Sequence, residues 1–223
     1  MKKVITVLLT ILVMISLAAC GGEKEPAEEK TPDTENTIEA ASTDNTLPES
    51  APEQESDEGL KILVAYFSAT NTTEGVAEKI ADSLSADLYE IVPEQPYTDD
   101  DLNYHDNSTR ATVEQNDKTV RPAITGSVED MEQYNIVFIG FPIWWGDSPR
   151  IISTFMESYD FSDKTIVPFC TSGSSGIGSS ATDLEELTDG ATWLPGTRLD
   201  GESTDEEIVD WVNSLGLDLS GSC

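Results

Sequence analysis

Apolar runs and helical periodicities alternate along the chain from residue 59 onward. Mostly apolar runs at residues 62–67, 136–141 and 165–170 predict strands that are covered on both faces. A short strand is predicted at 87–92 and a last one at 191–194, with an extension to 199 left open. Behind the first run, apolar residues recur at the spacing of one helix face: Val76, Ala77, Ile80 and Leu84. Strands that alternate with helices indicate an α/β fold with a parallel sheet and helices on both faces.

Three further helices are predicted from the same periodicity. They lie at residues 149–159, 180–187 and 203–215. Ser203 and Glu206 have the spacing of a capping box at the start of the last helix: Ser203-x-x-Glu206. Because a proline lacks the N–H that a central strand needs, we expect a bulge or a local break at Pro168.

Residues 93–134 separate the second and third predicted strands and are longer than an ordinary connection. Prolines and a run of acids interrupt them, and only residues 108–116 suggest a helix. We expect this segment to pack over one end of the sheet, and no chemistry is assigned to it.

The first twenty residues have the pattern of a secretory signal. Two lysines follow Met1, residues 4–19 are almost entirely apolar, and the stretch ends on Leu-Ala-Ala-Cys at Cys20. This ending resembles the lipobox of bacterial lipoproteins, in which the signal peptide is removed and the cysteine receives lipid. The resemblance implies a signal peptide at 1–19 and a lipid on Cys20 that anchors the protein on the cell membrane, facing outside the cytoplasm. A plain signal peptide or an uncleaved anchor is the alternative.

Acidic residues dominate both the tether that follows and the folded domain at 59–223. Residues 23–58 contain thirteen acids, two lysines and four prolines, so we expect residues 20–58 to be disordered. The chain has a formal net charge of −31, and residues 59–223, with thirty acids and eight bases, account for −22. Such a surface repels nucleic acid and favours a basic protein partner.

Cysteine and histidine are scarce in the domain. Cys170 lies in an apolar strand, where it is expected to be core, and Cys223 is the last residue. His105 is the single histidine of the chain, so a zinc site is not expected.

The first strand ends in a loop of hydroxyl and amide side chains: Ser68, Thr70, Asn71, Thr72 and Thr73. A helix begins behind this loop, and a helix start presents unpaired backbone N–H groups and the positive end of a dipole. Together with the hydroxyls, these groups can bind a phosphate without Lys or Arg. The alternative is that the side chains only cap the helix, although five of them within six residues are more than capping requires.

Two further unusual loops follow the predicted strands that end near residues 141 and 170. The second loop contains Pro142, Ile143, Trp144, Trp145 and Gly146, and the third contains Thr171, Ser172, Gly173 and Gly176. Because the carboxyl ends of parallel strands meet at one edge of the sheet, we expect the three loops to converge there. The tryptophans suit a flat ring, and the glycines let backbone groups approach a ligand closely. We expect one tryptophan on that ring and the other packed or partly exposed.

Together the three loops resemble the FMN-binding loops of flavodoxins. The first is similar to the family's phosphate loop, Ser/Thr-x-Thr-Gly-x-Thr, with Asn71 in place of the usual glycine. The other two resemble the loops that hold the isoalloxazine ring. The resemblance implies a doubly wound, five-stranded parallel sheet of order 2-1-3-4-5, with FMN as cofactor. Many flavodoxins place a second aromatic residue on the ring from the third loop, which has none here, so that ring face is expected to be open or covered by something else.

Three functions agree with these observations. We expect a membrane-anchored FMN protein of the flavodoxin type that transfers electrons between partner proteins. The second is an NAD(P)H-dependent reductase of FMN or quinones, which an open ring face would suit. The third is a binding module on the same fold that has lost its flavin.

Overall fold

A parallel sheet organises residues 59–219, the part of the chain that the computed structural model describes. The predicted signal peptide at 1–19, the lipid site at Cys20, the whole tether at 20–58 and the terminal Cys223 lie outside the described residues. The strands are, in chain order, β1 (Ile62–Tyr66), β2 (Asp87–Glu90), β3 (Val92–Pro93), β4 (Ile124–Thr125), β5 (Ile136–Pro142), β6 (Thr165–Thr171), β7 (Thr192–Trp193) and β8 (Thr197–Leu199).

The strand order of the main sheet is β2-β1-β5-β6-β7, and β8 pairs with β6 beyond the end of β7. All of these pairs are parallel. Tyr66 of β1 lies opposite Gly140 of β5, and Pro142 of β5 lies opposite Thr171 of β6. The predicted order 2-1-3-4-5 is therefore confirmed, and the carboxyl ends of β1, β5 and β6 lie side by side.

Helices cover both faces of the sheet, as predicted. They are α1 (Thr72–Leu84), α2 (Arg110–Asn116), α3 (Arg150–Met156), α4 (Ser180–Glu185) and α5 (Asp205–Ser214). Successive residues of β1 point into two separate apolar cores: Leu63 packs in the core that contains Ile151 of α3, and Val64 packs in the core that contains Val76 of α1 and Ile208 of α5. Among the described residues, no helix has the length and the apolar character that a membrane crossing requires.

Several predicted boundaries are wrong by a few residues. The strand predicted at 87–92 divides into β2 and β3, because the chain turns after Ile91 and pairs with β4 in an antiparallel ribbon. The helix predicted at 149–159 ends at Met156, and the helix predicted at 180–187 ends at Glu185. The helix suggested within residues 93–134 is present as α2.

The capping box of α5 lies one residue later than predicted. Thr204 Oγ1 accepts a hydrogen bond from Glu207 N at 3.3 Å, and Glu207 Oε2 accepts one from Thr204 N at 2.8 Å. Ser203 is engaged elsewhere, since its Oγ accepts a hydrogen bond from Asp200 N at 3.1 Å. The helix therefore begins at Asp205 and not at Ser203.

Pro168 lies inside a continuous strand, so the bulge expected there is absent from β6. The register between β5 and β6 continues through the proline, with Ile139 opposite Pro168. On the other side of β6, Ile166 O accepts a hydrogen bond from Leu194 N at 2.9 Å. Because alternate residues of a strand bond to the same side, the N–H that Pro168 lacks would have faced that edge. The break falls in the neighbouring strand, which divides there into β7 and β8.

Candidate functional site

The three loops that follow β1, β5 and β6 meet at the carboxyl edge of the sheet. Phe67 N, at the start of the first loop, donates to Gly140 O of β5 at 2.9 Å. In the second loop, Ile143 N donates to Thr171 O of the third loop at 3.0 Å. The first and third loops are joined directly by the hydroxyls of Thr73 and Thr171, which lie 2.7 Å apart. Hydrogen bonds therefore connect all three loops at their bases.

The first loop enters α1 through Asn71. This residue has a left-handed backbone, with φ at +62°, which asparagine tolerates better than most residues that have a side chain. Its side chain makes no capping hydrogen bond to α1, although it occupies the capping position. Nearby, the hydroxyls of Thr70 and Thr72 lie 3.5 Å apart at the surface. Helix capping alone therefore does not account for the polar side chains of this loop.

Ser68 carries a buried hydroxyl oxygen that has no hydrogen-bond partner among the described residues. A buried polar group in this condition destabilises a protein by about 1–3 kcal/mol. An anion in the first loop would accept the hydrogen of this hydroxyl, beside a helix start that favours negative charge. The unpaired hydroxyl therefore fits the predicted phosphate site.

Thr73 and Thr171 take a different place from the other predicted site residues. Both side chains are buried, with Thr73 1% and Thr171 3% exposed, and their hydroxyls bond to each other. Two residues that were predicted to contact a ligand therefore also hold the first and third loops together.

The second loop is a tight hairpin turn. Trp144 N donates to Asp147 O at 2.9 Å, and Asp147 N donates to Trp144 O at 3.0 Å. The two residues between them, Trp145 and Gly146, have φ values of +49° and +84°. Glycine adopts this conformation freely, whereas a tryptophan in the left-handed region costs about 1–2 kcal/mol. The turn holds the Trp145 side chain at the surface, where it is 44% exposed.

The two tryptophans differ in their surroundings. Trp144 packs edge to face against Phe67 and Tyr97, with ring centroids 5.5 and 5.0 Å apart. Trp145 touches Trp144 at right angles, with centroids 6.4 Å apart, and is otherwise more exposed. Trp144 is thus the more packed tryptophan and Trp145 the more exposed one.

A buried polar network braces the second loop from behind. Gln115 of α2 donates from Nε2 to Trp144 O at 3.0 Å and to Ser148 O at 3.1 Å. The guanidinium of Arg150 donates to Gln115 O at 3.0 Å and to Asp147 Oδ2 at 3.1 Å. Sequence reasoning missed this network, because Gln115 lies in the segment to which no chemistry was assigned.

A cavity of about 560 Å³ opens between the first and second loops. Its lining residues are mostly apolar: Ala69, Thr70, Leu102, Tyr104, Pro142, Ile143, Trp144 and Trp145. Five of these were predicted site residues. Leu102 and Tyr104 were not, and they come from the turn that precedes α2. Their only sign in the sequence is that two apolar side chains stand in an otherwise acidic and polar stretch.

The third loop lies beside this cavity rather than in its wall. Arg198 of β8 donates from Nε to Ser172 O at 3.0 Å. Gly173 and Gly176 have open space at the position of a side chain, and a side chain at Gly178 would lie 3.6 Å from Gly146 O of the second loop. Close approach of the second and third loops is therefore observed, while the lining of the cavity includes none of the predicted third-loop residues.

Two arginines lie behind the second and third loops, although the first loop itself has no cation. Arg150 is buried under the second loop, and Arg198 contacts the third. Burial raises the pKa of the Cys170 thiol to about 11, against a smaller lowering by Arg198, so this cysteine is protonated at neutral pH and behaves as core. Burial also raises the pKa of Tyr97, and its hydrogen bond to Glu114 acts in the same direction.

Comparisons with known proteins agree with this architecture. A family model described as flavodoxin matches residues 61–215. The crystal structure of a protein from Bacteroides eggerthii that is designated a flavoprotein has 46% sequence identity and a TM-score of 0.67, covering 71% of this chain and 99% of that chain. A similarly designated protein from Bacteroides uniformis has 42% identity and the same TM-score, covering 70% of this chain and 99% of that chain.

A more distant structure shares the fold. The flavoprotein of Lactobacillus acidophilus, crystallised in complex with FMN, has 22% identity and a TM-score of 0.53. The match covers 71% of this chain and 99% of that chain.

Proposed function

The chain belongs to the flavodoxin family, and we propose that it binds FMN and transfers electrons between partner proteins. The observation that carries this proposal is the position of the aromatic cavity. A hydroxyl-rich helix start with the unpaired Ser68 hydroxyl lies next to an apolar cavity of about 560 Å³ at the same edge of the sheet. This arrangement suits a ligand that has a phosphate at one end and a flat aromatic ring at the other.

The residues present divide between these two ends. The hydroxyls of Ser68, Thr70 and Thr72, with the N–H groups that begin α1, would hold the phosphate. Ile143 and the two tryptophans of the second loop would hold the ring, since they line the cavity. FMN supplies the redox chemistry when it is bound, and the protein binds it, orients it and limits its contact with water.

The rim of the cavity supports exchange of electrons with another protein. Trp145 is 44% and Tyr104 69% exposed, so the aromatic wall extends to the surface. The charge of −22 on residues 59–223 attracts a basic partner and raises the rate at which it arrives. We therefore propose a basic redox protein as the partner.

We further propose that the protein works at the membrane surface. The motif that ends at Cys20 supports a lipid anchor on that residue, with the domain facing outside the cytoplasm. Residues 20–58 would then act as a tether that spans at most ~140 Å when fully extended.

A second candidate is an NAD(P)H-dependent reductase of FMN or quinones. The absence of an aromatic side chain from the third loop favours it, because a ring face that the loop does not cover is open to a nicotinamide or a quinone.

A titration of the purified protein tests these functions. Apoprotein is titrated with FMN and with riboflavin while quenching of flavin fluorescence is followed, and NADH or NADPH is then added together with a soluble quinone and without a protein partner. Tight binding of FMN with negligible NAD(P)H oxidation supports the electron carrier. Steady oxidation with a quinone as acceptor supports the reductase. Failure to bind either flavin refutes both and leaves the flavin-free module.

A further inference from the structure

The cavity receives part of its lining from a segment outside the three flavodoxin-like loops. Leu102 and Tyr104 line it together with Trp144 and Trp145. We propose that Tyr104 covers the flavin ring in place of the aromatic residue that the third loop lacks, and that it thereby restricts which electron donors reach the ring. This inference rests on the proposed function, since it requires FMN in the cavity.

The turn that carries Tyr104 is tied down on both sides. On one side, Thr98 N donates to Asp101 Oδ2 at 2.9 Å, and Leu102 N donates to Thr98 O at 3.1 Å. On the other side, Asp106 Oδ1 accepts a hydrogen bond from Ser108 N at 2.8 Å. These bonds lie within the turn and fix its shape, so the backbone on either side of the tyrosine is restricted.

Aromatic contacts join the base of this turn to the tryptophan wall. The Tyr97 ring packs edge to face on Trp144, with centroids 5.0 Å apart. Arg110 of α2 lies over the Tyr97 ring, 4.1 Å from its centroid, and also pairs with Glu114 at 2.7 Å. The turn and the second loop therefore form one packed unit around the cavity.

Tyr104 itself gains little from burial within the protein. Its side chain is 69% exposed, and its ring packs on that of the neighbouring, exposed His105, at 4.1 Å between centroids. A flat ring in the cavity would cover part of this apolar surface, and aromatic pairs attract one another beyond the effect of burial alone. The competing explanation, that Tyr104 only contacts a partner protein, predicts no effect on flavin binding.

Covering the ring affects the two candidate reactions differently. A nicotinamide transfers two electrons and a proton together as hydride, which requires its ring to lie within about 3–3.5 Å of the flavin. A side chain in that position must first move away. Transfer of single electrons through an exposed edge has no such requirement. Tyr104 would therefore favour protein partners over NAD(P)H.

Flavin binding by three variants is the first test. Tyr104→Phe keeps the ring, Tyr104→Ala removes it, and Val113→Ala is the control, because Val113 is 54% exposed on α2 and does not line the cavity. We expect Tyr104→Ala to weaken FMN and riboflavin alike by about three- to tenfold, since the lost contact is to the ring. The fluorescence of bound flavin should rise in the same variant. Tyr104→Phe and Val113→Ala should match the wild-type protein.

Access of a hydride donor is the second test, with NADPH as the probe. Tyr104→Ala should be reduced by NADPH about tenfold faster than the wild-type protein or Val113→Ala. If Tyr104→Ala equals Val113→Ala in flavin affinity and fluorescence, the tyrosine does not contact the ring and the inference is overturned. An unchanged NADPH rate despite weaker binding overturns the role in donor choice. A wild-type protein that binds no flavin is a separate result, which refutes the proposed function itself.

Discussion

Replacing Thr73 by valine should destabilise the protein more than replacing Thr73 and Thr171 together. Their hydroxyls lie 2.7 Å apart, and both side chains are almost completely buried. Valine keeps the shape of threonine, so each single substitution leaves the other hydroxyl buried without its partner. That loss costs about 1–3 kcal/mol of unfolding free energy, whereas removing both hydroxyls should keep the protein within about 1 kcal/mol of wild type.

Urea unfolding of the apoproteins, followed by circular dichroism, measures this coupling through a double-mutant cycle. Flavin titration of the same variants then separates the structural role from a role in binding. We expect the double variant to bind FMN within about threefold of wild type, a change below 1 kcal/mol. Thr72→Val is the matched control, because its hydroxyl is exposed in the first loop, and it should lose FMN affinity without loss of stability.

Two results would contradict this reasoning. If the destabilisation of the double variant equals the sum of the two single values, the hydroxyls do not depend on each other. If the double variant is stable but loses FMN while keeping riboflavin, the two threonines bind the phosphate directly.

Four further predictions follow from the loops, the charge and the amino terminus. Thr70→Asp places a negative charge in the first loop, so FMN should be lost while riboflavin still binds in a fluorescence titration; equal losses would place the phosphate elsewhere. Gln115→Leu removes two hydrogen bonds to the second loop, worth about 1 kcal/mol each, and should weaken FMN and riboflavin alike by up to about thirtyfold; unchanged affinities would show that the brace is unimportant. Electron transfer to a basic partner, measured by stopped flow, should slow as added salt shortens the Debye length from ~8 Å, and a rate indifferent to salt would refute the electrostatic steering. Replacing the exposed Asp99 by lysine should slow the transfer further, whereas Asp147 is unsuitable for this test because its carboxylate pairs with the buried Arg150 guanidinium. Cys20→Ala should leave an unprocessed precursor without lipid in metabolic labelling, and normal labelling would show that the anchor lies elsewhere.

Local patterns in the sequence predicted the alternation of strands and helices and the position of the first loop, whereas the sheet order was predicted from the resemblance to flavodoxins. The apolar run that forms β1 and the helical spacing of Val76 and Ile80 both appear in the structure, because burial on two faces and on one face leaves distinct periods. The left-handed backbone at Asn71 agrees with its place in a loop that usually has glycine there.

The site residues that were not predicted from the sequence follow no such periodic pattern. Leu102, Tyr104 and Gln115 reach the second loop through tertiary contacts between segments about thirty to forty residues apart. Apart from the apolar character of Leu102 and Tyr104 in a polar stretch, nothing in their immediate neighbours indicates these contacts.

The capping box of α5 was predicted one residue too early for a different reason. Ser203 and Thr204 each stand three residues before a glutamate, so the spacing rule fits two start positions equally well. The choice depends on Asp200, whose N–H donates to the Ser203 hydroxyl and leaves Thr204 to cap the helix. The turn that precedes the helix thus determines which of the two residues caps it.

The last strand of the sheet is divided into β7 and β8 opposite Pro168 of β6, and this division affects how copies of the protein can contact one another. An unbroken strand at the rim of a sheet exposes a row of backbone groups that can recruit a strand from another molecule. Here β7 has two residues and β8 has three, with Pro195 between them, so this rim presents no continuous template. At the opposite rim, β2 has four residues and carries Asp87 and Glu90. Crowded copies should therefore resist the strand-to-strand aggregation that open sheets risk.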